Sequence, residues 1–384
     1  MDFDFAAEGP KILQLLYGLI AFVVVVGGLL LALDAIPNWF DRRREQRESA
    51  RRAAVTAAPP AAPPAEVVEP GVEPGGGVAV RERVAVAAPP GPPGPPKRHE
   101  GWMAAGFMLP ALVLLAIGLV IPGVRTILLS FKDGEEVEWV GLQNYSWIFS
   151  QDEIVRVVLN TAIWVLLVPT VATSIGLIYA VLVDRARMES VAKSLIFMPM
   201  AISFVGAGII WRFVYAYRPE GEEQIGLLNQ IWVTLGGEPK QWLTNAPLNT
   251  LLLIVVLVWI QAGFAMVVLS AAIKAIPGDI VEAARLDGVN AWQMFWRVTL
   301  PTIWPAVIVV VVTISIGTLK VFDIVRTMTN GNFDTNVVAL EMYNQAFRYN
   351  ETGQGAALAV FLFVLVLPIV IYQIRHLRQR QEVR

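Results

Sequence analysis

Residues 282–301 read EAARLDGVNAWQMFWRVTLP. Strongly apolar stretches flank them, at roughly 248–273 and 302–322. A charged, glycine-broken, proline-ended loop between two such stretches must work in water or against a partner. Local signals divide it. Pro277 and Gly278 end the preceding stretch. Asp279 is a candidate N-cap, with Glu282 three residues later, the spacing of a capping box. Gly288 suits the left-handed stop position of a helix. Asn290 can cap a second short helix, AWQMFWRV, and Pro301 can open the next apolar stretch, where a missing N–H is tolerated. The segment 277–301 therefore reads as helix, glycine turn, helix. Trp292, Met294, Phe295 and Trp296 make the second helix bulky, and that surface needs cover. Two readings stay open: a helix lying in the membrane interface, or a rigid docking element for a soluble partner.

Composition sets the surroundings. The 384 residues are 55% apolar and only 16% charged, against about 25% charged in average soluble domains. That depletion points to a polytopic membrane protein, and the helical spans below make the expected class all-α. The formal net charge of −2 suggests no nucleic-acid partner. The chain has no Cys and two His, His99 and His376, both in charged flanks. Disulfides, thiolate sites and histidine clusters are thereby excluded. Neither a Gly-x-x-x-x-Gly-Lys-Ser/Thr loop nor a Gly-x-Gly-x-x-Gly turn occurs, so no nucleotide-binding motif is visible.

A spanning helix needs about 20 mostly apolar residues. Seven stretches meet or approach this: 12–33, 104–128, 157–183, 195–217, 248–273, 302–322 and 355–374. The first could be a signal peptide. Its acidic start, MDFDFAAEGP, its length and the following DRRREQRESARR favour a retained helix. Residues 53–96 are rich in Ala, Pro, Val and Gly and end in PPGPPGPP, which cannot bury enough to fold. They form a semi-rigid spacer. Three parts follow: an extra N-terminal transmembrane helix at 1–37, a Pro/Ala-rich linker at 38–100, and a six-helix core at 101–384. Lys and Arg concentrate in the linker, in DRARMESVAKS (184–194), in the 274–301 loop and in the tail, whereas KDGEEVEWVG (132–141) and RPEGEEQ (218–224) are acidic. The basic loops face the cytoplasm. The linker and C-terminus are then cytoplasmic and the N-terminus external.

The opening stretch resembles the EAA loop of binding-protein-dependent ABC importer permeases. Glu282-Ala283-Ala284, Gly288, Val298 and Leu300-Pro301 stand at the spacing of that motif, with Val298 in place of the commoner Ile. WVGLQNYSWIF (139–149) and NTAIW (160–164) are similar to elements of the sugar permeases. SLIFMPMAISFVGAGIIWRFVYAYRP (194–219), QIGLLN (224–229) and LKVFDIV (319–325) look most like the alpha-glucoside permeases. The resemblance covers 101–384 and implies a type I importer subunit of the bacterial plasma membrane. It implies no cofactor and no enzymatic activity of its own. It implies a heterodimeric second permease, a cytoplasmic ATPase dimer, an extracytoplasmic sugar-binding protein and a sugar substrate, in addition to membrane lipid. The family's large external domain is missing, since the 132–156 loop is short.

Within the resemblance, Glu282, Ala283, Ala284, Asp287, Gly288, Leu300 and Pro301 form the ATPase-coupling loop. Glu282 would accept from Arg or N–H groups of the partner, or serve only as a capping residue. Polar groups inside spans are site candidates. Trp259, Gln261 and Phe264 on the fifth stretch and Thr313, Ser315, Thr318 and Lys320 on the sixth are the candidates here, with helix–helix packing as the plain alternative. The family's sugar-contacting positions fall at Leu257, Ile260, Gln261, Phe264, Ile314, Gly317, Thr318 and Val321, where most residue types depart. Trp259, Gln261, Phe264, Thr318 and Lys320 are the expected sugar contacts. Lys320 and Asp323 could instead pair with one another. The rival class is an ion-coupled secondary transporter acting alone, which would want carboxylates deep in the spans.

Overall fold

The structure, a computed structural model, describes residue 28 and residues 98–184 and 187–381. The expected N-terminal helix, apart from Gly28, and the linker up to residue 97 lie outside the described residues. Among the described residues, 98–122 belong to one compact unit and those from 123 on to another. In the first, α1 spans Arg98–Leu115 and runs into a π-helical turn, Ala116–Val120. Its first residue, Arg98, stands two residues before the expected linker boundary at 100.

Helix α2 spans Ile121–Leu129, and the second unit begins within it, at Gly123. Next come a short α3, Gln143–Ser150, and the long α4, Asp152–Val183. Helices α5, Glu189–Phe197, and α6, Phe204–Val214, follow, then α7, Leu227–Thr234, and α8, Leu248–Lys274. Helices α9, Gly278–Leu286, and α10, Ala291–Met294, make up the 277–301 region, and α11 is Leu300–Leu319. The chain ends with α12, Asp323–Met328, α13, Val338–Tyr343, and α14, Thr352–Gln381. Among the described residues, five helices are long and apolar enough to cross a membrane, and the pair Glu189–Ala201 with Phe204–Val214 qualifies when taken together. The six expected core spans are therefore present.

One of the six differs from expectation. The stretch at 195–217 is not one straight span but is bent by 99°. Pro199 lies in a 3-10 turn, Met198–Ala201, and Ile202 is extended. Proline lacks the N–H that would continue the ladder. The helix restarts at Ser203, whose side-chain oxygen accepts from the Gly206 N–H at 3.1 Å.

Small residues set the packing. A Cβ on Gly176 of α4 would lie 2.4 Å from Ala265 Cβ and 2.8 Å from the Met266 nitrogen on α8. A Cβ on Gly263, also in α8, would lie 2.6 Å from the Ile196 carbonyl oxygen of α5. Glycines of this kind let apolar helices approach backbone to backbone, where lipid offers no hydrophobic drive. Helix α8 is the axis of the bundle, with Leu253, Val256, Ala265, Met266 and Leu269 fully buried.

The direction of the spans divides the loops into two ends. Residues 184, 187–188 and 275–299 lie at one end, and 130–151, 215–247 and 320–351 at the other. At the second end, Asn144 Nδ2 donates to the carbonyls of Ser130 (3.0 Å) and Lys132 (2.7 Å). Asn160 Nδ2 donates to those of Asp334 (2.6 Å) and Asn336 (3.0 Å). Thr161 Oγ1 accepts from the Val338 N–H at 3.0 Å. The two sugar-permease signatures of the sequence are thus loop clamps: their side chains satisfy backbone groups that no helix or sheet pairs.

Candidate functional site

Residues 277–301 form the expected hairpin of helices, with two corrections. Helix α9 starts at Gly278, two residues earlier than an Asp279 cap would allow. Pro277 is its N-cap, and no side chain caps it. The capping box expected between Asp279 and Glu282 is absent; Asp279 lies in the first turn, where its charge meets the positive end of the helix dipole. The second correction concerns AWQMFWRV, which is not a separate helix. Residues 291–319 run as one helix of 29 residues. A π-helical stretch, Phe295–Thr299, joins α10 to α11. In an α-helix the Pro301 ring would press on the Arg297 carbonyl and leave it without a donor. The wider π turn relieves that crowding, with the Leu300 N–H reaching back to the Phe295 carbonyl.

The turn between the helices matches expectation. Gly288 has φ of +74°. Its N–H donates to the Arg285 carbonyl (3.0 Å) and the Val289 N–H to that of Ala284 (3.2 Å). These are the two bonds of a Schellman stop. Asn290 caps the next helix in a complete capping box: its Oδ1 accepts from the Gln293 N–H at 2.8 Å, and its own N–H donates to Gln293 Oε1 at 3.2 Å. The hairpin is therefore locked at both sides of its turn. Its surface is open. Glu282, Ala283, Asp287 and Gly288 are exposed, Ala284 is half-buried, and Leu286 and Trp292 are 83% and 71% exposed. Leu300 is buried and Pro301 half-buried, so the hairpin's exit is rooted in the bundle.

A cluster of charges holds the hairpin's entry, and the sequence did not announce it. Lys193 of α5 pairs with Asp184 (2.6 Å) and Glu189 (2.7 Å). Lys274, the last residue of α8, also pairs with Glu189. Ser270 donates to Asp184 Oδ1 at 2.7 Å. The network joins the end of α4, the start of α5 and the end of α8. Only the i, i+4 spacing of Glu189 and Lys193 hinted at any of it; the other members are far apart in sequence.

The expected sugar contacts are dispersed. Gln261 is half-buried on α8, and its amide nitrogen lies 4.0 Å from where a Cβ would stand on Gly317 of α11. Phe264, one turn on, is half-buried against the core. Trp259 packs edge-on against Trp211 of α6, ring centroids 5.6 Å apart. Thr318 is fully buried, and its hydroxyl donates to the Ile314 carbonyl of its own helix at 2.8 Å. Ser315 and Thr313 bond back to their own helix in the same way. Lys320 is exposed at the end of α11 and makes no ion pair with Asp323. The aromatic group at 211–217 divides. Trp211 and Tyr215 face inward, Tyr215 donating to the Leu252 carbonyl at 3.2 Å, while Phe213 and Tyr217 are exposed. Phe213, Tyr215 and Tyr217 border an apolar cavity of about 620 Å³ with Ile209, Arg212 and Trp242.

Known proteins match this arrangement. Residues 156–381 match the family described as binding-protein-dependent transport system inner membrane component. The chain is 48% identical over 278 residues to the osmoprotective compounds uptake permease protein GgtC of Synechocystis sp., covering 72% of this chain and all of that protein. It is 49% identical over 271 residues to the alpha-glucoside transport system permease protein AglF of Rhizobium meliloti, covering 70% of this chain and 81% of that one. A crystal structure of a bacterial ABC transporter that imports the acidic polysaccharide alginate superposes with a TM-score of 0.64 at 22% identity, over 73% of this chain and 96% of the other. At that identity the likeness shows a shared fold.

Proposed function

The chain belongs to the family of binding-protein-dependent transport system inner membrane components, and from that premise we propose that it is a permease subunit of an ATP-driven importer of a neutral sugar, with an alpha-glucoside as the substrate class. Its family makes it a multi-pass inner-membrane transport component rather than an enzyme. The observation that carries the proposal further is the helical hairpin at 277–301: capped at both sides of its turn, rooted in the bundle and uncovered at Leu286 and Trp292. A stiff element with exposed apolar side chains is built to be gripped.

In this reading, the hairpin sits in a cleft of a cytoplasmic ATPase dimer. ATP-driven closure moves α9, and the movement passes to α8 and α11, which the hairpin joins covalently. Glu282 and Asp287 offer charge to the partner, and Ala283 and Ala284 allow close approach. In this reading the end with the basic loops faces the cytoplasm, and the opposite end, with loops 130–151, 215–247 and 320–351, faces the side where a binding protein delivers sugar. A second permease completes the pathway. Gln261 and Phe264, half-buried one turn apart on α8, line this chain's share of it. The alpha-glucoside class rests on the likeness to the Rhizobium protein.

The test is co-purification from native membrane in mild detergent, assayed for ATP hydrolysis, with Glu282→Lys beside the wild type. The proposal expects hydrolysis in the wild type and loss of both hydrolysis and the soluble subunit in the variant. Intact, monodisperse protein that carries no ATPase would overturn it and leave an ion-coupled mechanism to be tested by direct uptake.

A further inference from the structure

At the end opposite the hairpin, the structure contains a second cavity, of about 390 Å³. It lies within the size range of small-molecule sites. The end of α3, the 330–336 loop, α13 and the π-helical segment Asn344–Arg348 build its walls. Unlike the aromatic cavity beside α6, its lining is amide-rich: Asn332, Asn344 and Gln345, with Trp147, Arg348 and Tyr349 around them.

Glu341 organises these amides. Its carboxylate is buried and accepts from Asn336 Nδ2 (2.6 Å), Gln345 Nε2 (2.6 Å) and, at longer range, Asn344 Nδ2 (3.5 Å). An ionised carboxylate only accepts, so the amide nitrogens must face it and the amide oxygens must face elsewhere. Asn344 shows the consequence. It is 5% exposed, it lines the cavity, and its Oδ1 is buried with no hydrogen-bond donor. A buried acceptor left without a donor costs about 1–3 kcal/mol, so a donor from a ligand is favoured there. Arg348 stands over the ring of Tyr349, 5.7 Å from its centroid, and supplies guanidinium donors beside an aromatic face.

The walls are also held in an unusual backbone. Asn330, Gly331, Phe333 and Asp334 all have φ between +54° and +79°. For a bulky residue such as Phe333 that conformation is unfavourable. Asn249 of α8 secures it by donating to the Phe333 carbonyl at 2.7 Å, and Asn160 of α4 secures the next turn. A loop of polar residues is thus pinned from two spans into the shape that forms the cavity.

The geometry points to a carbohydrate subsite in this cavity, one that takes a neutral hexose unit before the sugar enters the spans. A free carbonyl acceptor, guanidinium donors and aromatic faces match hydroxyls and the apolar face of a pyranose. Glu341 is satisfied by amides and needs no cation. Glu341 and Glu153 outnumber Arg348 at the cavity, which disfavours an acidic sugar. The inference rests on the proposed sugar-import function for its substrate class.

Equilibrium dialysis tests it, using the complete transporter without its binding protein and labelled maltose or trehalose as probes, with digalacturonate as the acidic comparison. We expect the wild type to bind a neutral probe and Asn344→Leu to raise its Kd at least tenfold, with melting temperature and monodispersity as checks on folding. Asn344→Gln, which keeps an amide, should recover part of the loss. Binding unchanged in Asn344→Leu overturns the subsite. So does a wild type that imports sugar with its binding protein yet binds neither neutral probe alone, a result that leaves the importer reading intact. If the variant changes only the binding-protein concentration that half-maximally stimulates ATPase, the cavity is a socket for that protein and the subsite is overturned. Neutral-probe binding that Asn344→Leu abolishes, in a transporter that imports no sugar, would uphold the subsite and overturn the import function.

Discussion

Gly288 isolates the backbone contribution to coupling, because a Cβ built there meets nothing within 4 Å in this chain. Any effect of substitution on the isolated chain must come from φ, which is +74°. An L-residue in the left-handed region costs roughly 1–2 kcal/mol, with Asn partly exempt. A β-branched residue there is a genuine outlier. The two Schellman bonds, to the Arg285 and Ala284 carbonyls, close only if that conformation is held. With about 1.4 kcal/mol per tenfold, Gly288→Ala should weaken the docking-competent hairpin roughly 5–30-fold. Gly288→Asn should lose little and Gly288→Val most. The assay is titration of the soluble ATPase onto the permease pair in nanodiscs, followed by uptake in vesicles. The expected order is Gly, Asn, Ala, Val, with Val inserted but inactive in uptake. Should Asn fall with Val, the glycine is needed because the partner fills the space, and the backbone argument is wrong. If Ala matches the wild type, the docked state does not use this turn at all.

Further tests address other parts of the molecule. Lys193→Met leaves Asp184 and Glu189 without their shared cation in a site only 12–31% exposed; it should lower the melting temperature of the purified protein clearly more than Lys274→Met, whose pair is more exposed and worth about 0–1 kcal/mol. Gly176→Val forces α4 and α8 apart, since even its Cβ would lie 2.4–2.9 Å from Ala265, Met266 and Ala262 atoms. Overpacking of this kind costs about 1–3 kcal/mol or more, and limited proteolysis should detect the loosened bundle. Asn229 is fully buried and makes four hydrogen bonds of 2.9–3.0 Å, to Ala216, Lys240 and Trp242. Asn229→Leu should free the 215–247 loop to hydrogen exchange while leaving the spans protected, at a cost of a few kcal/mol, about 1 for each bond lost.

Much of the molecule follows from short-range properties of the chain. Apolar length alone located six core spans, because a helix satisfies its own backbone wherever it lies. Gly288 and Asn290 were legible because a left-handed stop and an N-cap depend on a few adjacent residues. The signatures at 139–149 and 160–164 were visible as a resemblance, but their work as clamps on distant carbonyls was not.

Tertiary structure decided what depends on neighbours far along the chain. Pro199 announces a break, yet the 99° bend also reflects the seat that Gly263 of α8 offers to the end of α5. Lys320 and Asp323 have the spacing of a pair, but Lys320 terminates α11 and Asp323 begins α12, so no single helix brings them together. Thr318 is a polar residue in the last turn of an apolar span, but its hydroxyl bonds to its own helix inside the core. The charge network from Asp184 to Lys274 and the amide-lined cavity around Glu341 join residues that no periodicity connects. Local rules establish which segments are helices and where they stop; which polar side chains are left facing open space depends on how those helices pack.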